Sequence, residues 1–474
     1  MALVAAAAAT VFPESGWNAT AHYALVESLA DGTPRIDGHL NQGGDLAWVD
    51  GHFYAAKAPG LAFASVPLYA ALEAAGAVPA KEAATSGPPG AQGVRKEAVW
   101  QLNLVIVAAF FCLLLLMRYA GNACAAGTGL AVSLMLGLGT MLLPFATAYF
   151  AHVLSATLAF AAFALLLFKR DSRAAVAGAG LLAGLAVVVE APLALVAAAL
   201  AAWVLLDRPR LQRGGLYVVG LVAGTAPLLA YNAWAFGSPF RNGYSDAVGV
   251  LGATGHDVVG ANDEGLFGLT HPRPGDALEL LFDTQRGLFV LTPVVAVAVA
   301  GLVPLWRRGM RRAAVFVGSL ALAFILYNAA YWIPFGGDTP GPRFLVPLLP
   351  FLALPLAAAF AAWRGVTLAT AAVSVFWMTV ATLGGALLPA DESPTTWVSE
   401  VIRADNLVGS VVGPRRTAEL AFVLPVAAAL LLAAPSFGGT ANRRARAPVR
   451  RHGSLPEVQS PEGEERVDAA EVSP

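Results

Sequence analysis

Lysine is nearly absent from this 474-residue chain: Lys57, Lys81, Lys96 and Lys169 are the only ones among 30 basic residues. A lysine inside a motif therefore stands out. Charge of either sign is scarce, at 13% of residues, where a soluble domain carries about 25%. Cysteine is limited to Cys112 and Cys124, both in or beside apolar runs, which excludes a disulfide framework. There is no P-loop, no GxGxxG fingerprint and no zinc-ligand spacing. Those absences argue against an ATP-driven pump and against the soluble nucleotide-sugar enzymes. The net charge of -1 says little about partners, and nothing points to nucleic acid.

Hydrophobic residues make up 57% of the chain. They recur in runs of about 20, the length that crosses a hydrocarbon core. Spans are expected near 1-12, 97-118, 123-145, 152-168, 174-190, 191-206, 215-236, 287-305, 313-332, 344-362, 366-388 and 418-435. The expected fold is an all-α polytopic membrane protein of about 11-12 transmembrane helices. The run 174-206 is too long for one crossing, and Glu190-Ala191-Pro192 divides it into a hairpin. Met1 to Phe12 is too short to cross alone and lacks the basic start and cleavage site of a secretory signal. A truncated start or a tilted partial helix is expected there.

Arg118, Lys169-Arg170 with Arg173, Arg208/Arg210/Arg213, Arg307-Arg308 with Arg311-Arg312, and Arg364 fall on alternate turns. The positive-inside rule makes that side cytoplasmic, with both termini on it. Residues 436-474 mix a basic run with an acidic, Pro- and Ser-containing end, a composition expected to be disordered. The opposite, extracytoplasmic side takes the long loops 13-96, 237-286, 333-343 and 389-417. Six of the seven histidines fall in these loops or at their edges, as an outward-facing site requires and a purely structural bundle does not.

The first of these loops reads PESGWNATAHYALVESLADGTPRIDGHLNQGGDLAWVDGHFYAAKAPG over 13-60. Tyr23 to Ala30 has the spacing of a short amphipathic helix at the interface. Glycines then break the chain, leaving Asp37, Asp45 and Asp50 on loops, and GHFYAAKAPG runs into a juxtamembrane helix of about 16 residues. Here the chain resembles the C superfamily of polyprenyl-phosphate-sugar-dependent glycosyltransferases, which includes protein O-mannosyltransferases and lipid A aminoarabinose transferases. Gly51, Tyr54, Lys57 and Pro59 match its Gly-x-x-Tyr-x-x-Lys-x-Pro segment, and Tyr23 fits the helix before it. The chain departs from the family at the loop start, where Glu14 and Asn18 stand in place of two adjacent acids. The resemblance implies transfer of a sugar from a polyprenyl-phosphate donor by direct, inverting displacement, with or without a divalent metal such as Mg or Mn.

That chemistry needs a carboxylate to take the acceptor proton and cations to stabilise the phosphate leaving group. Asp37 and Asp45 are the leading candidates for base or metal ligand, and Glu14 is their rival by position. Loop acids also serve as solvated or turn-capping groups, the simple reading of Asp50-Gly51. Lys57 is the candidate phosphate contact, although a snorkelling lysine would suit a helix end equally. His52 and Tyr54 are candidate supporting groups. His152, at the outer start of a span, is a candidate donor or metal contact. Glu190 is an acid within a hydrophobic hairpin, which marks it as functional by default. Arg286 and Arg343, at outer span boundaries, could bind phosphate oxygens bidentately or anchor to headgroups.

The sequence thus reads as a membrane glycosyltransferase acting on the outer face, with a cell-envelope glycan, lipid or protein as acceptor and membrane lipids around it. A flippase or transporter of lipid-linked sugars is the first rival, and would show repeats or broken helices at mid-bilayer. A non-catalytic assembly protein is the second, and would tolerate loss of every loop carboxylate.

Overall fold

The computed structural model describes residues 1–13, 16–40, 44–83, 92–248, 265–266, 268–385, 394, 396–398 and 415–438. The candidate acid Glu14 and the expected tail beyond Gly438 lie outside them. Among the described residues, six helices have the length and apolarity to cross a bilayer: Lys96–Cys124, Arg210–Phe236, Arg311–Ala330, Arg343–Ala362, Arg364–Leu383 and Leu420–Phe437. Shorter apolar helices complete the bundle, namely Gly129–Gly139, His152–Phe168, Arg173–Val189, Ala191–Leu205 and Pro293–Arg307. Together they match the all-α polytopic expectation, segment by segment. Met1 to Phe12 contributes only a seven-residue helix, α1 (Ala2–Ala8).

The hairpin at 174-206 divides where expected. Helix α8 (Arg173–Val189) stops at Glu190, which is extended, and Pro192 opens the short turn into α9 (Ala194–Leu205). Proline suits that first turn because its missing N–H would be unpaired there anyway. Helix α10 (Arg210–Phe236) packs against α8 through two glycine pairs. A Cβ at Gly184 would lie 2.5 Å from the Leu221 carbonyl oxygen, and one at Gly224 would lie 2.9 Å from Gly184 Cα. Gly180 and Gly220 repeat the arrangement one turn away. Small residues spaced by four let backbones approach where lipid supplies no hydrophobic drive for helix association.

Two expectations for the first loop need correction. Helix α2 (Trp17–Ala30) is not an amphipathic helix at the interface, because every residue from Ala19 to Ser28 is buried. It is enclosed by the loop's own later segments and by the spans. The stretch expected as open loop also contains a sheet. Strands β1 (Leu46–Val49) and β2 (His52–Ala55) form a hairpin in which Trp48 faces Phe53. Its turn is Asp50–Gly51, both at positive φ (52° and 84°), as a two-residue hairpin turn matching the strand twist requires. A two-residue strand far along the chain, Ala247–Val248, pairs with β1 on the other side. The chain around 46–55 and the chain around 247 are therefore one structure. Helix α3 (Gly60–Ala74) follows β2 as the expected juxtamembrane helix.

A candidate active site at the open end of the hairpin

Lys57 and Asp45 flank the open end of the hairpin, one just after β2 and the other just before β1. Their side chains form an ion pair of 2.9 Å, and each is 14% exposed. The Ala56 amide donates to the Asp45 carbonyl at 2.8 Å, closing the hairpin there. Asp45 has a left-handed backbone, φ 59°. That region is uncommon for residues other than glycine and persists where the surroundings over-determine it, often at functional sites.

Two close approaches bring other elements to this pair. A Cβ at Gly60 would lie 2.6 Å from the Val189 backbone, so the first turn of α3 rests on the end of α8 beside Glu190. A Cβ at Gly243 would lie 2.8 Å from Ala56 Cα, so the chain at Gly243 lies flat against the chain at Ala56. That contact delivers Tyr244, whose hydroxyl accepts from Lys57 Nζ at 3.1 Å and whose ring lies 5.1 Å from the ammonium. Burial alone would lower the Lys57 pKa, but the Asp45 and Tyr244 side chains outweigh it and hold the ammonium above the usual lysine range. Lys57 is therefore a fixed cation.

Arg343 joins the cluster from the first residue of the candidate span Arg343–Ala362. It is within electrostatic reach of Asp45, Tyr244, Tyr331 and Glu190, and its Nε is buried without a hydrogen-bond partner among the described residues. The guanidinium lies 5.6 Å from the Phe150 ring and 5.1 Å from that of Phe344. His152 packs on the same two rings, at 5.9 and 6.1 Å. Glu190 meets His152 Nδ1 at 2.5 Å and accepts from Ser155 Oγ at 2.6 Å, so the buried acid is paired. His22, on α2, completes the inner wall within reach of Lys57, Asp45, Glu190 and His152. Burial first, then the Lys57 charge, pushes its imidazole down to about 4.

Of the sequence candidates, Asp45, Lys57, Arg343, His152 and Glu190 converge. Asp37 and His52 do not join them: they pair with each other at 2.9 Å, both more than a third exposed. Asp37 also accepts from the Phe53 amide at 2.8 Å, which ties it to the edge of β2. Tyr54 is buried against Phe236, at 5.3 Å between rings. Arg286 donates to the Gly337 carbonyl at 3.3 Å and stacks over Phe335 at 4.4 Å, which steadies the loop leading to Arg343. Tyr244 and His22 were not singled out in the sequence; the Gly243-Tyr244 pair at a span exit was the available sign of the first. Among the described residues no three His, Cys, Asp or Glu side chains converge as a metal site would need. Asp45 and Glu190 each already face a basic side chain, so these residues do not fit a resident divalent metal.

An all-α multi-pass membrane protein with a cluster of shielded charged side chains beside the first-loop hairpin is the class that the fold and site define. That fold is shared with ArnT from Cupriavidus metallidurans, whose crystal structure holds undecaprenyl phosphate. The two superpose with a TM-score of 0.54 over 92% of this chain and 74% of ArnT, at 15% identity. The archaeal oligosaccharyltransferase AglB from Archaeoglobus fulgidus, in complex with an inhibitory peptide and a dolichol-phosphate, gives a TM-score of 0.45 at 14% identity. That match covers 92% of this chain and 55% of AglB. ArnT and AglB both belong to the superfamily that the first loop resembles. By sequence, no protein-family model and no curated protein matches the chain.

Proposed function

We propose that the protein is an integral membrane glycosyltransferase that takes a sugar from a polyprenyl-phosphate carrier and delivers it to a cell-envelope acceptor. The arginine distribution puts the first loop and the site on the extracytoplasmic face, and both termini on the other. The observation that carries this reading is the Lys57–Asp45 pair, with Tyr244 and Arg343 beside it. A buried lysine held cationic next to a second, incompletely bonded cation suits a phosphate at the membrane surface, and the carboxylate between them suits an acceptor hydroxyl. The undecaprenyl phosphate of ArnT and the dolichol-phosphate of AglB support the same donor class here.

In the proposed reaction the donor phosphate draws the Lys57 ammonium and the Arg343 guanidinium to its oxygens. Asp45 is then free to accept the proton of the acceptor hydroxyl. The acceptor oxygen attacks the anomeric carbon as the bond from that carbon to the phosphate oxygen breaks. The electron pair stays on the phosphate, where two cations meet the charge as it develops, the arrangement that lowers a barrier most. Displacement from the face opposite the leaving group inverts the anomeric centre. His152 and Glu190 hold the Phe150 and Phe344 walls against which Arg343 rests.

The test is the lipid-linked sugar pool. Membranes from cells lacking the protein should accumulate one polyprenyl-phosphate sugar, and wild-type protein should return it to normal. An unchanged pool would contradict the reading and favour a non-catalytic assembly role.

A further inference from the structure

The other end of the hairpin bears an aromatic pair, Trp48 exposed and Phe53 partly buried, that the reaction above does not use. Trp48 is the exposed residue of β1, with 44% of its surface open, between buried neighbours. Phe53 stands directly opposite on β2, and the two rings meet at 4.5 Å with an interplanar angle of 63°. β2 is the edge strand of its sheet. Asp37 runs along that edge, accepting from the Phe53 amide and from His52 Nδ1. Asp37 and His52 keep 39% and 37% of their side chains exposed. An aromatic surface bordered by hydrogen-bonding groups that remain open to solvent is the composition of a ligand site, with apolar contact area and a few polar groups to fix orientation.

We propose that this face of the hairpin binds a neutral glycan, so that the acceptor of the transferase is a carbohydrate chain; this rests on the glycosyltransferase reading above. Sugar rings present C–H faces to the electron-rich faces of aromatic rings, and their hydroxyls donate to carboxylates. Trp48 is three residues along the chain from Asp45, or about 10 Å at the usual strand rise. A short oligosaccharide lying on the platform therefore reaches the proposed base with its growing end. The bordering charges decide between occupants. Asp37 and Asp50 would repel lipid phosphates and anionic glycans alike, whereas membrane-surface aromatics are normally accompanied by Lys and Arg. Nearby Arg241 is committed to Asp246 through two bonds of 2.9 and 2.6 Å.

The experiment uses full-length protein in nanodiscs and saturation-transfer NMR with four neutral trisaccharides: maltotriose, mannotriose, galactotriose and arabinotriose. Trigalacturonate serves as the anionic control. At least one neutral trisaccharide should bind saturably to wild type, at least tenfold more weakly to Trp48→Ala, and near normally to Trp48→Phe. Binding of undecaprenyl phosphate should be the same in all three proteins. Absence of saturable binding by every neutral trisaccharide, or binding that survives Trp48→Ala, overturns the proposal. So does quenching by brominated lipids of a fluorescence component that Trp48→Phe removes, since the platform would then lie in the bilayer. Failure of wild type to bind undecaprenyl phosphate would instead count against the glycosyltransferase reading, and the two failures are read separately.

Discussion

The hairpin of the first loop carries an acid and a base at each end, and the two pairs are held in opposite ways. At the open end, Asp45 and Lys57 are mostly buried, Asp45 has a left-handed backbone, and a tyrosine 187 residues away closes over them. At the turn end, Asp37 and His52 are more than a third exposed and are bonded within the first loop itself. Residue types alone do not separate the two pairs. Tertiary closure does: only the pair that the chain at Gly243 and Tyr244 covers is shielded enough for charge to act at short range, because an exposed pair is weakened by water and salt.

The largest effect expected from this contrast is on transfer itself. Asp45→Asn keeps the shape and removes the proton acceptor, which should lower the rate by about 10²–10⁴. Asp37→Asn should leave the chemical step near wild type, with any loss confined to acceptor affinity. A steady-state transfer assay on both variants checks this, and equal losses in rate would erase the distinction between the two ends.

Glycine substitutions sharpen the comparison at the level of packing. Gly243→Ala forces a methyl against the Ala56 backbone, an overpacking that typically costs about 1–3 kcal/mol. It should lower thermal stability and donor binding together, because it moves Tyr244 off Lys57. Gly51→Ala meets no atom within 4 Å and only its positive φ opposes it, a cost of about 1–2 kcal/mol. It should lower stability without changing donor binding.

The smallest effect concerns pH and lies on the inner wall of the open end. The buried His22 imidazole is lowered from 6.5 to about 4, so the folded state binds its proton less readily than the unfolded state. Its contribution to stability is complete above about 6.5 and is lost as pH falls toward about 4. Thermal unfolding followed across that window should show a decline that His22→Gln makes shallower.

Much of this was legible in the sequence. The spans follow from apolar runs, and the α8–α9 break follows from Glu190-Ala191-Pro192, because proline and an acid are expensive inside a span. Lys57 stood out by its rarity and by the spacing of Gly51, Tyr54 and Pro59. The choice of Asp45 over Asp37 was not legible, because both lie on glycine-rich chain and their difference arises from contact with residues near 244. That contact depends on a two-residue strand and one glycine approach, which leave almost no periodic signal. The full burial of α2 was hidden for a related reason: its residues look amphipathic until the elements that cover its polar positions are known.

The central claim is that the buried Lys57 cation at the open end holds the phosphate of a polyprenyl carrier. Binding of undecaprenyl phosphate to purified full-length wild type, Lys57→Ala and Lys57→Arg tests it most directly. At least a tenfold weaker affinity is expected for the alanine variant, with partial recovery in the arginine variant because the charge survives with altered geometry. Equal affinity of wild type and Lys57→Ala would contradict it and leave Lys57 as a snorkelling anchor at the membrane surface.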